Sequence, residues 1–194
     1  MKSKTITKKI IMGKFKGKTL KLPSMETTRS SKSIVLESFF NTIQFEIIDA
    51  NFVEVFSGSG SIGLEALSRG ASNIMFMEQD REALKVLKQN ISQTDPSSCQ
   101  VYAGDSFSNI ATVVKELKRK NEDAYFYIDP PFSIREGMED IYEKMIKLIA
   151  SLPAEVVKLI IIEHMTGLEI PSKIGEFELT KSKKFGNTSL SYFI

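Results

Sequence analysis

A short apolar run followed by three closely spaced glycines constrains the fold of this chain more than any other feature. The run FVEVF at residues 52–56 is too short for a helix and is bounded by turn residues, which predicts a strand buried on both faces. Gly58, Gly60 and Gly63 follow in G-x-G-x-x-G spacing, and apolar residues then recur at helical spacing as far as Gly70. A strand, a glycine turn and a helix in this order predict a site for a nucleotide-type cofactor.

The three glycines suit such a site because they lack side chains. Gly58 and Gly60 can adopt positive φ and let the backbone approach a ligand, and Gly63 lets the helix pack closely on the strand. The start of the helix then offers unpaired N–H groups to the ligand. Glu78 ends the next apolar run, about 20 residues after the turn, where an acidic side chain accepts hydrogen bonds from ribose hydroxyls.

Beyond Gly70 the pattern alternates, with strands predicted at 74–77, 100–103, 124–128 and 156–162 and helices at 82–92, 110–117 and 142–149. Gly186 and Asn187 mark the turn of a closing hairpin built from residues 176–182 and 188–193. Repeated strand–helix units predict an α/β fold with a parallel sheet, into which the hairpin would insert one antiparallel strand.

The first 48 residues are predicted to form an extension of this α/β domain. Apolar residues interrupted by Gly13 and Gly17 indicate short strands and a turn. A helix follows, and its apolar stripe is expected to contain Ile34, Val35, Phe39, Phe40 and Ile43. We therefore divide the chain into an extension at 1–48 and a main domain at 49–194.

Positive charge is concentrated in that extension. Residues 1–34 contain ten Lys and Arg residues against Glu26 alone, a net charge of +9, whereas the whole chain carries only +2. A basic arm on a slightly acidic body predicts contact with nucleic acid. The residues expected to bind RNA phosphates are Lys8, Lys9, Lys14, Lys16 and Lys18, of which the last three alternate along one face.

Composition limits the remaining possibilities. The chain has 194 residues, one cysteine (Cys99) and one histidine (His164), which predicts neither a disulfide nor a Cys/His zinc site. The same counts lead us to expect no metal. The chain lacks an apolar run near 18 residues and a signal-peptide core, so we expect no membrane partner and a cytoplasmic protein. A monomer is the default expectation, and Cys99 and His164 are expected to be structural.

The ends of the predicted strands should line one crevice, since ligands of open α/β sheets bind beyond the carboxyl ends of the strands. These ends are Phe56–Gly60, Glu78–Asp80, Gly104–Ser106, Asp129–Phe132 and Glu163. Asp129-Pro130-Pro131-Phe132 is the most informative, because two prolines form a rigid turn without N–H donors. The Asp129 carboxylate and the Pro130 carbonyl are acceptors beside the ring of Phe132, an arrangement that suits a planar exocyclic NH2 group. Hydrogen bonds to that amine would favour the pyramidal form that attacks an electrophilic methyl group.

These motifs together resemble a known family. Asp129–Phe132 is similar to the (D/N)-P-P-(F/Y/W) motif of S-adenosylmethionine-dependent amino methyltransferases, and VFSGSG resembles their cofactor loop. The similarity extends over nearly the whole chain to the bacterial 16S rRNA guanine-N2 methyltransferases, through KKIIMGKFKGKTLKLP, EVFSGSGSIGLEALSRGA, MEQD, YIDPPF and FGNTSLSYF.

The resemblance implies a Rossmann-like class I methyltransferase with a seven-stranded, mostly parallel sheet, an antiparallel C-terminal strand and a small basic N-terminal β-hairpin and helix. It implies S-adenosylmethionine as cofactor and 16S rRNA or the small ribosomal subunit as partner. Asp129, Pro130, Pro131 and Phe132 would hold the flipped target guanine and act in catalysis. The residues expected to bind the cofactor are Arg29, Phe56, Ser57, Gly58, Gly60, Glu78, Gln79, Asp80, Asp105, Ser106 and Asp129. Among them, Phe56, Gly58 and Gly60 would hold the methionine part, Glu78 the ribose, and Asp105 and Ser106 the adenine edge.

The chain departs from the family pattern at one stretch. The family usually carries R-P-T-x-D-R-V-R-E before the central strand, and residues 29–37 here read RSSKSIVLE. Arg29 is retained, but a proline, an aspartate and two arginines are replaced, which affects the expected RNA contact rather than methyl transfer. Arg135, just after the Asp129–Phe132 turn, is a candidate for a replacement phosphate contact.

Several alternatives remain at this stage. The same mechanism would serve adenine N6 in RNA or DNA, or a glutamine amide, although amide-methylating relatives usually carry N-P-P-Y. An NAD-dependent oxidoreductase would use the glycine turn and Glu78 but has no role for Asp129–Phe132. A non-catalytic RNA-binding assembly factor is the non-enzyme alternative.

Overall fold

A mixed sheet of eight strands, with helices on both faces, forms the centre of the molecule. The computed structural model describes residues 6–23, 30–131 and 140–194. Its strands are β1 (Thr7–Lys9), β2 (Thr19–Lys21), β3 (Asn51–Glu54), β4 (Asn73–Glu78), β5 (Cys99–Ala103), β6 (Ala124–Ile128), β7 (Val157–Met165), β8 (Lys173–Ile174), β9 (Phe177–Phe185) and β10 (Thr188–Phe193). Its helices are α1 (Ser30–Thr42), α2 (Ser61–Ser68), α3 (Arg81–Ser92), α4 (Ser106–Lys120) and α5 (Ile141–Ala150), with 3-10 turns at Pro96–Ser98 and Ala154–Val156.

The strand order of the large sheet is β5-β4-β3-β6-β7-β10-β9-β8. Strands β3 to β7 are parallel, and β10 is inserted antiparallel between β7 and β9. Both faces are covered, because α1, α2 and α3 share one core cluster with one side of the sheet, and α4 and α5 share a second cluster with the other. The predicted parallel sheet with an inserted antiparallel strand is therefore confirmed.

Two details of the sheet differ from the sequence prediction. Strand β7 does not end at Ile162 but continues to Met165, because β10 pairs with it along its whole C-terminal half. A short additional strand, β8, pairs with the start of β9 and raises the number of strands from seven to eight. Two-residue strands carry too little periodicity to be recognised in a sequence.

In helix α1, the structure agrees with the predicted apolar stripe except at one residue. Phe39 and Phe40 are fully buried, as expected, and pack against Phe52 and Tyr127 of the sheet. Ile34 was expected in the same apolar stripe but is 61% exposed. At about 100° per residue it lies on the opposite side of the helix from the buried stripe.

The N-terminal hairpin of β1 and β2 packs on α2 through a buried carboxylate. Glu65 accepts hydrogen bonds from the backbone N–H groups of Ile11 (2.7 Å) and Met12 (3.1 Å) and from Nε of Arg69 (2.7 Å). Glu65 and Arg69 are almost completely buried, and the Arg69 guanidinium lies over the ring of Phe40. A charge removed from water in this way is stable only while its partners are in place.

A second buried side chain connects the hairpin to the glycine turn. The Asn90 amide on α3 accepts from the N–H of Lys21 and donates to the carbonyls of Lys21 and Ser59, each at 2.9 Å. The hairpin is therefore attached to the same loop that is predicted to bind the cofactor. Within the described ranges, no helix has both the length and the apolar character required to cross a bilayer.

Candidate active site

The glycine turn after β3 has the geometry that its sequence predicts. Gly58 and Gly60 have φ of 52° and 75°, a region that favours glycine. A Cβ on Gly60 would lie 2.3 Å from the Leu87 side chain, and one on Gly63 would lie 2.5 Å from the ring of Phe76. Gly63 thus allows α2 to lie against the sheet, whereas Gly60 is required both by its φ and by the close approach of α3.

Two polar side chains below the turn hold it in this shape. Glu54 is buried at the end of β3 and accepts a hydrogen bond from the N–H of Gly63 at 2.9 Å. The Ser57 hydroxyl donates to the carbonyl of Glu54 (2.8 Å) and accepts from the N–H of Met77 (2.9 Å). Ser57 is predicted to bind the cofactor; its hydroxyl is directed into the sheet, so such a contact would have to come from its backbone. Glu54 was not singled out from the sequence.

The Glu78 carboxylate lies directly against the glycine turn. Its Oε2 accepts from the N–H of Gly58 (2.7 Å), and its Oε1 accepts from the N–H groups of Gln79 (2.8 Å) and Asp80 (2.7 Å). Asp80 is the N-cap of α3 and accepts from the N–H of Ala83 (2.8 Å). Glu78 is therefore placed where its side chain can accept from a ligand in the turn, whereas the Asp80 carboxylate is used by the helix.

The end of β5 lies beside Glu78, because the N–H of Gly104 donates to the Glu78 carbonyl at 2.8 Å. Asp105 is exposed and caps α4 through the N–H of Ser108. Ser106 is buried and donates its hydroxyl to the carbonyl of Val55. Of this predicted pair, Asp105 is accessible at the crevice and Ser106 connects two strand ends.

An aromatic pair forms an apolar wall at the same edge. The rings of Phe56 and Phe107 meet edge to face with centroids 5.6 Å apart. Phe56 was predicted from the sequence, and Phe107 was not. A residue on the first turn of α4 could have been suspected, since helix N-termini adjoin the crevice in this kind of fold.

Two acidic residues occupy neighbouring positions of the sheet, Asp129 directly after the end of β6 and Glu163 within β7. The register pairs Ile128 with Ile162, so the next residues along the two strands are Asp129 and Glu163. The buried Tyr127 hydroxyl donates to Oε2 of Glu163 at 2.7 Å. Its burial, followed by the charges of Glu163 and Asp129, raises the pKa of Tyr127 well above its usual value, so the phenol stays protonated and acts as a donor.

The negative charge of Asp129 also affects a second tyrosine, Tyr142. Burial and then the Asp129 carboxylate raise the pKa of Tyr142, which lies on the first turn of α5. The negative potential at Asp129 thus acts on phenols contributed by two different elements. The sequence pattern did not identify Tyr142, because its position follows from how α5 packs rather than from a motif.

His164 and Cys99 have surroundings that fit the structural roles expected of them. Both ring nitrogens of His164 are hydrogen-bonded, to the carbonyl of Met165 and the hydroxyl of Ser191, and burial lowers its pKa. Burial, followed by the charge of Asp95, raises the pKa of the Cys99 thiol to about 12. Among the residues that the structure describes, no three His, Cys, Asp or Glu side chains are grouped as metal ligands.

The predicted RNA-binding lysines are divided between two edges of the sheet. The Nζ of Lys8 is 3.5 Å from the Ser61 hydroxyl, at the start of α2 beside the crevice. Lys14 and Lys16 lie in a turn, not on a strand face as expected, and Lys18 follows that turn. Lys14 and Lys18 contact Asp95 and the carbonyl of Gln93, near the start of β5 and thus at the opposite edge. Arg29, Phe132 and Arg135 lie outside the described residues.

The fold matches solved structures over nearly the whole chain. The Escherichia coli protein yhhF, a proposed methyltransferase, superposes with a TM-score of 0.76 at 26% identity and 97% coverage of both chains. HI0767 of Haemophilus influenzae, a proposed methylase, gives a TM-score of 0.68 at 25% identity, with 97% of this chain and 98% of that chain covered. SMU.776, solved in complex with SAH, shares the fold at 14% identity with a TM-score of 0.54, with 79% of this chain and 48% of that chain covered.

The strand order and the crevice define a Rossmann-like class I methyltransferase. The chain belongs to the family described as conserved hypothetical protein 95, whose model matches residues 8–194. It is 28% identical to YlbH of Bacillus subtilis, a proposed rRNA methyltransferase, over 191 residues that cover 95% of this chain and 97% of YlbH. It is 31% identical to ribosomal RNA small subunit methyltransferase D of E. coli over 130 residues, 67% of this chain and 62% of that protein.

Proposed function

We propose that this protein transfers a methyl group from S-adenosylmethionine to N2 of a guanine in 16S rRNA of the small ribosomal subunit. Support for RNA methylation comes from the family and from the relatives named for small-subunit rRNA. Residues 1–48 would contact RNA and residues 49–194 would carry out the reaction. A ribosomal RNA substrate is consistent with a cytoplasmic protein.

The proposal of guanine as the target base rests on the neighbouring positions of Asp129 and Glu163. The edge of guanine presents two neighbouring donors, N1–H and the N2 amine, to whatever reads a flipped base. Carboxylate oxygens are hydrogen-bond acceptors, so Asp129 and Glu163 together match both donors. Adenine presents an amine beside the acceptor N1, and a carboxylate facing that nitrogen would repel it. The geometry of this pair therefore favours guanine N2 over adenine N6.

Asp129 and Pro130 would prepare the amine for attack. The lone pair of an exocyclic amine is delocalised into the ring, which makes it a weak nucleophile. Hydrogen bonds from its protons to the Asp129 carboxylate and the Pro130 carbonyl favour the pyramidal form and direct the lone pair at the methyl donor. Since Pro130 and Pro131 limit the motion of the turn, this orientation is set before the reaction.

The residues at the glycine turn fit S-adenosylmethionine chemically. Glu78 accepts from donors at the turn and would accept from the ribose hydroxyls, and the wall of Phe56 and Phe107 suits an adenine. The Asp129 carboxylate suits a cofactor that carries positive charge at sulfur. When bound, the cofactor supplies an electrophilic methyl group. Arg29 and Phe132 keep their predicted roles as proposals.

Replacing Glu78 by glutamine should weaken cofactor binding roughly 10- to 100-fold, because hydrogen bonds to a charged acceptor contribute about 1.5–3 kcal/mol. The substitution keeps the size of the side chain but removes its charge. Isothermal titration with S-adenosylhomocysteine measures the effect. Glu82→Gln, an exposed change on α3, is the matched control. Equal affinities of the two variants would contradict the role of Glu78.

The proposed reaction is tested by its product. Cells that lack this protein supply small ribosomal subunits and 16S rRNA, which are incubated with the protein and methyl-labelled S-adenosylmethionine before nucleoside analysis. We expect label in N2-methylguanosine. Label in N6-methyladenosine would keep the chemistry but overturn the base assignment. Cofactor binding without any label would overturn catalysis and favour a non-catalytic RNA-binding role.

A further inference from the structure

A row of side chains crosses four strands at the carboxyl edge of the sheet and leads away from the target-base site. The register aligns Glu163 of β7 with Leu190 of β10, and Leu190 with Lys183 of β9. Asp129 precedes Glu163 in this row. With about 4.8 Å between neighbouring strands, Lys183 lies roughly 14 Å from Asp129 along the sheet. Leu190 in the middle of this row is fully buried, so only the β9 end of the row can meet nucleotides that flank a base held at Asp129.

The next row on the same face is apolar and partly exposed. Met165 of β7 aligns with Thr188, and Thr188 with Phe185 of β9. Met165 is 40% exposed, and Phe185 is partly buried against the α1 side of the core. An unpaired base can rest on a surface of this kind, because every base has an apolar face.

Three lysines of the edge strand β9 provide positive charge near these rows, with Lys181 and Lys183 on the same face of the sheet as the rows and Lys184 on the opposite face. Lys181 and Lys184 are exposed, and Lys183 is held by the hydroxyls of Ser38 (3.0 Å) and Thr42 (3.1 Å) on α1. Both partners of Lys183 are neutral, so its charge is not cancelled. Among ion pairs formed within residues 6–23, 30–131 and 140–194, none includes Lys181, Lys183 or Lys184. Burial and the neighbouring Lys181 lower the pKa of Lys183, which is consistent with positive charges that lie close together.

We propose that the β9–β10 hairpin binds the single-stranded RNA next to the target nucleotide, with Lys181, Lys183 and Lys184 on its phosphates and Met165 and Phe185 beneath a flanking base. This surface adjoins the crevice, whereas Lys14 and Lys18 of the N-terminal extension lie at the opposite edge of the sheet. The inference rests on the proposed function for its substrate, and it adds a contact surface that the basic N-terminal arm does not include.

A different explanation of these lysines is available and must be separated by experiment. From Thr180 onward, the outer side of β9 has no strand partner among the described residues. Lysines on such an edge prevent pairing with another chain. That role predicts self-association, and no change in RNA affinity, when the lysines are removed.

The test compares two double variants that each remove two exposed lysines. One is Lys181→Ala with Lys184→Ala on β9, and the other is Lys85→Ala with Lys88→Ala on the exposed side of α3, where no RNA contact is proposed. Filter binding to 16S rRNA and to small ribosomal subunits is measured over a series of KCl concentrations with S-adenosylhomocysteine present. Lys183 is left unchanged, since its contacts with α1 could affect folding.

We expect the β9 variant to bind roughly tenfold more weakly at 0.15 M salt, with a log–log salt slope shallower by about 0.7–0.9 for each lysine. In turnover assays its KM for RNA should rise while kcat and cofactor affinity stay the same, and the α3 variant should keep the wild-type RNA affinity and KM. Unchanged RNA affinity and slope would overturn the proposal, and self-association by light scattering would then assign the lysines to edge protection.

The two proposals fail in different ways. Wild-type protein that binds RNA but labels no nucleoside refutes the methylation while leaving the surface open to the same binding test. Wild-type protein that makes N2-methylguanosine, with a β9 variant of unchanged affinity and KM, refutes only the surface. Absence of wild-type binding to both RNA forms would overturn the surface as well.

Discussion

The Asp129→Ala variant should lose methyl transfer by about 10²- to 10³-fold, the cost of removing one preorganised polar group from a reaction centre. The physical reason is that Asp129 is proposed to accept a hydrogen bond from the N2 amine. Glu163, the next residue across the sheet, would accept one from N1–H of the ring. Affinity for S-adenosylmethionine should stay within a few-fold. Single-turnover rates with 16S rRNA, measured beside cofactor titrations, check both parts.

Asp123 offers a matched control for this experiment. It precedes β6 at the opposite edge of the sheet, and its side chain is exposed. Asp123→Ala should retain wild-type turnover. An Asp129→Ala variant that keeps more than about a tenth of wild-type activity would refute the proposed role of its carboxylate.

Glu65→Ala should destabilise the protein by about 3–5 kcal/mol, because it leaves Arg69 as a buried charge without its partner. Two backbone N–H groups of the hairpin, at Ile11 and Met12, lose their acceptor at the same time. For a chain of this size the loss corresponds to a fall in Tm on the order of 10 °C. Thermal unfolding followed by circular dichroism measures the change, and hydrogen exchange at Ile11 and Met12 reports release of the hairpin.

The exposed pair of Glu143 and Lys147 on α5 is the appropriate control. It has the same i, i+4 spacing as Glu65 and Arg69, but its side chains are 68% and 73% exposed, against 1% and 6% for the buried pair. Glu143→Ala should change stability by no more than about 0.5 kcal/mol. Similar losses for both variants would mean that burial of the Glu65 pair contributes little.

Sequence reasoning performed well where a local pattern has a single structural solution. A glycine at a positive φ leaves a recognisable spacing, and Gly58 and Gly60 adopt that conformation. Alternation of strands and helices likewise determined the parallel sheet, and chain order placed Glu78 beside the glycine turn. The prediction for Ile34 was wrong, because it relied on residue type although the helical spacing places Ile34 opposite the buried stripe.

The sequence pattern did not predict contacts between segments that are far apart in the chain. Glu65 and Asn90 are buried polar residues whose hydrogen-bond partners come from the N-terminal hairpin, more than 50 residues away in the chain. The lysines of the basic N-terminal arm show the same limit. Their positive charge was evident from the sequence, but the edge of the sheet at which each one lies was not.

The sequence by itself determined the fold class and the positions of the glycine turn and the Asp-Pro-Pro turn, because each depends on residues that are adjacent or regularly spaced. Only the tertiary structure decided that Asp129 lies beside Glu163 and that the row continues to Lys183. That alignment depends on the strand order β6-β7-β10-β9 and on its register. Register is a property of how strands pair across the sheet, and spacing along a single chain does not contain it.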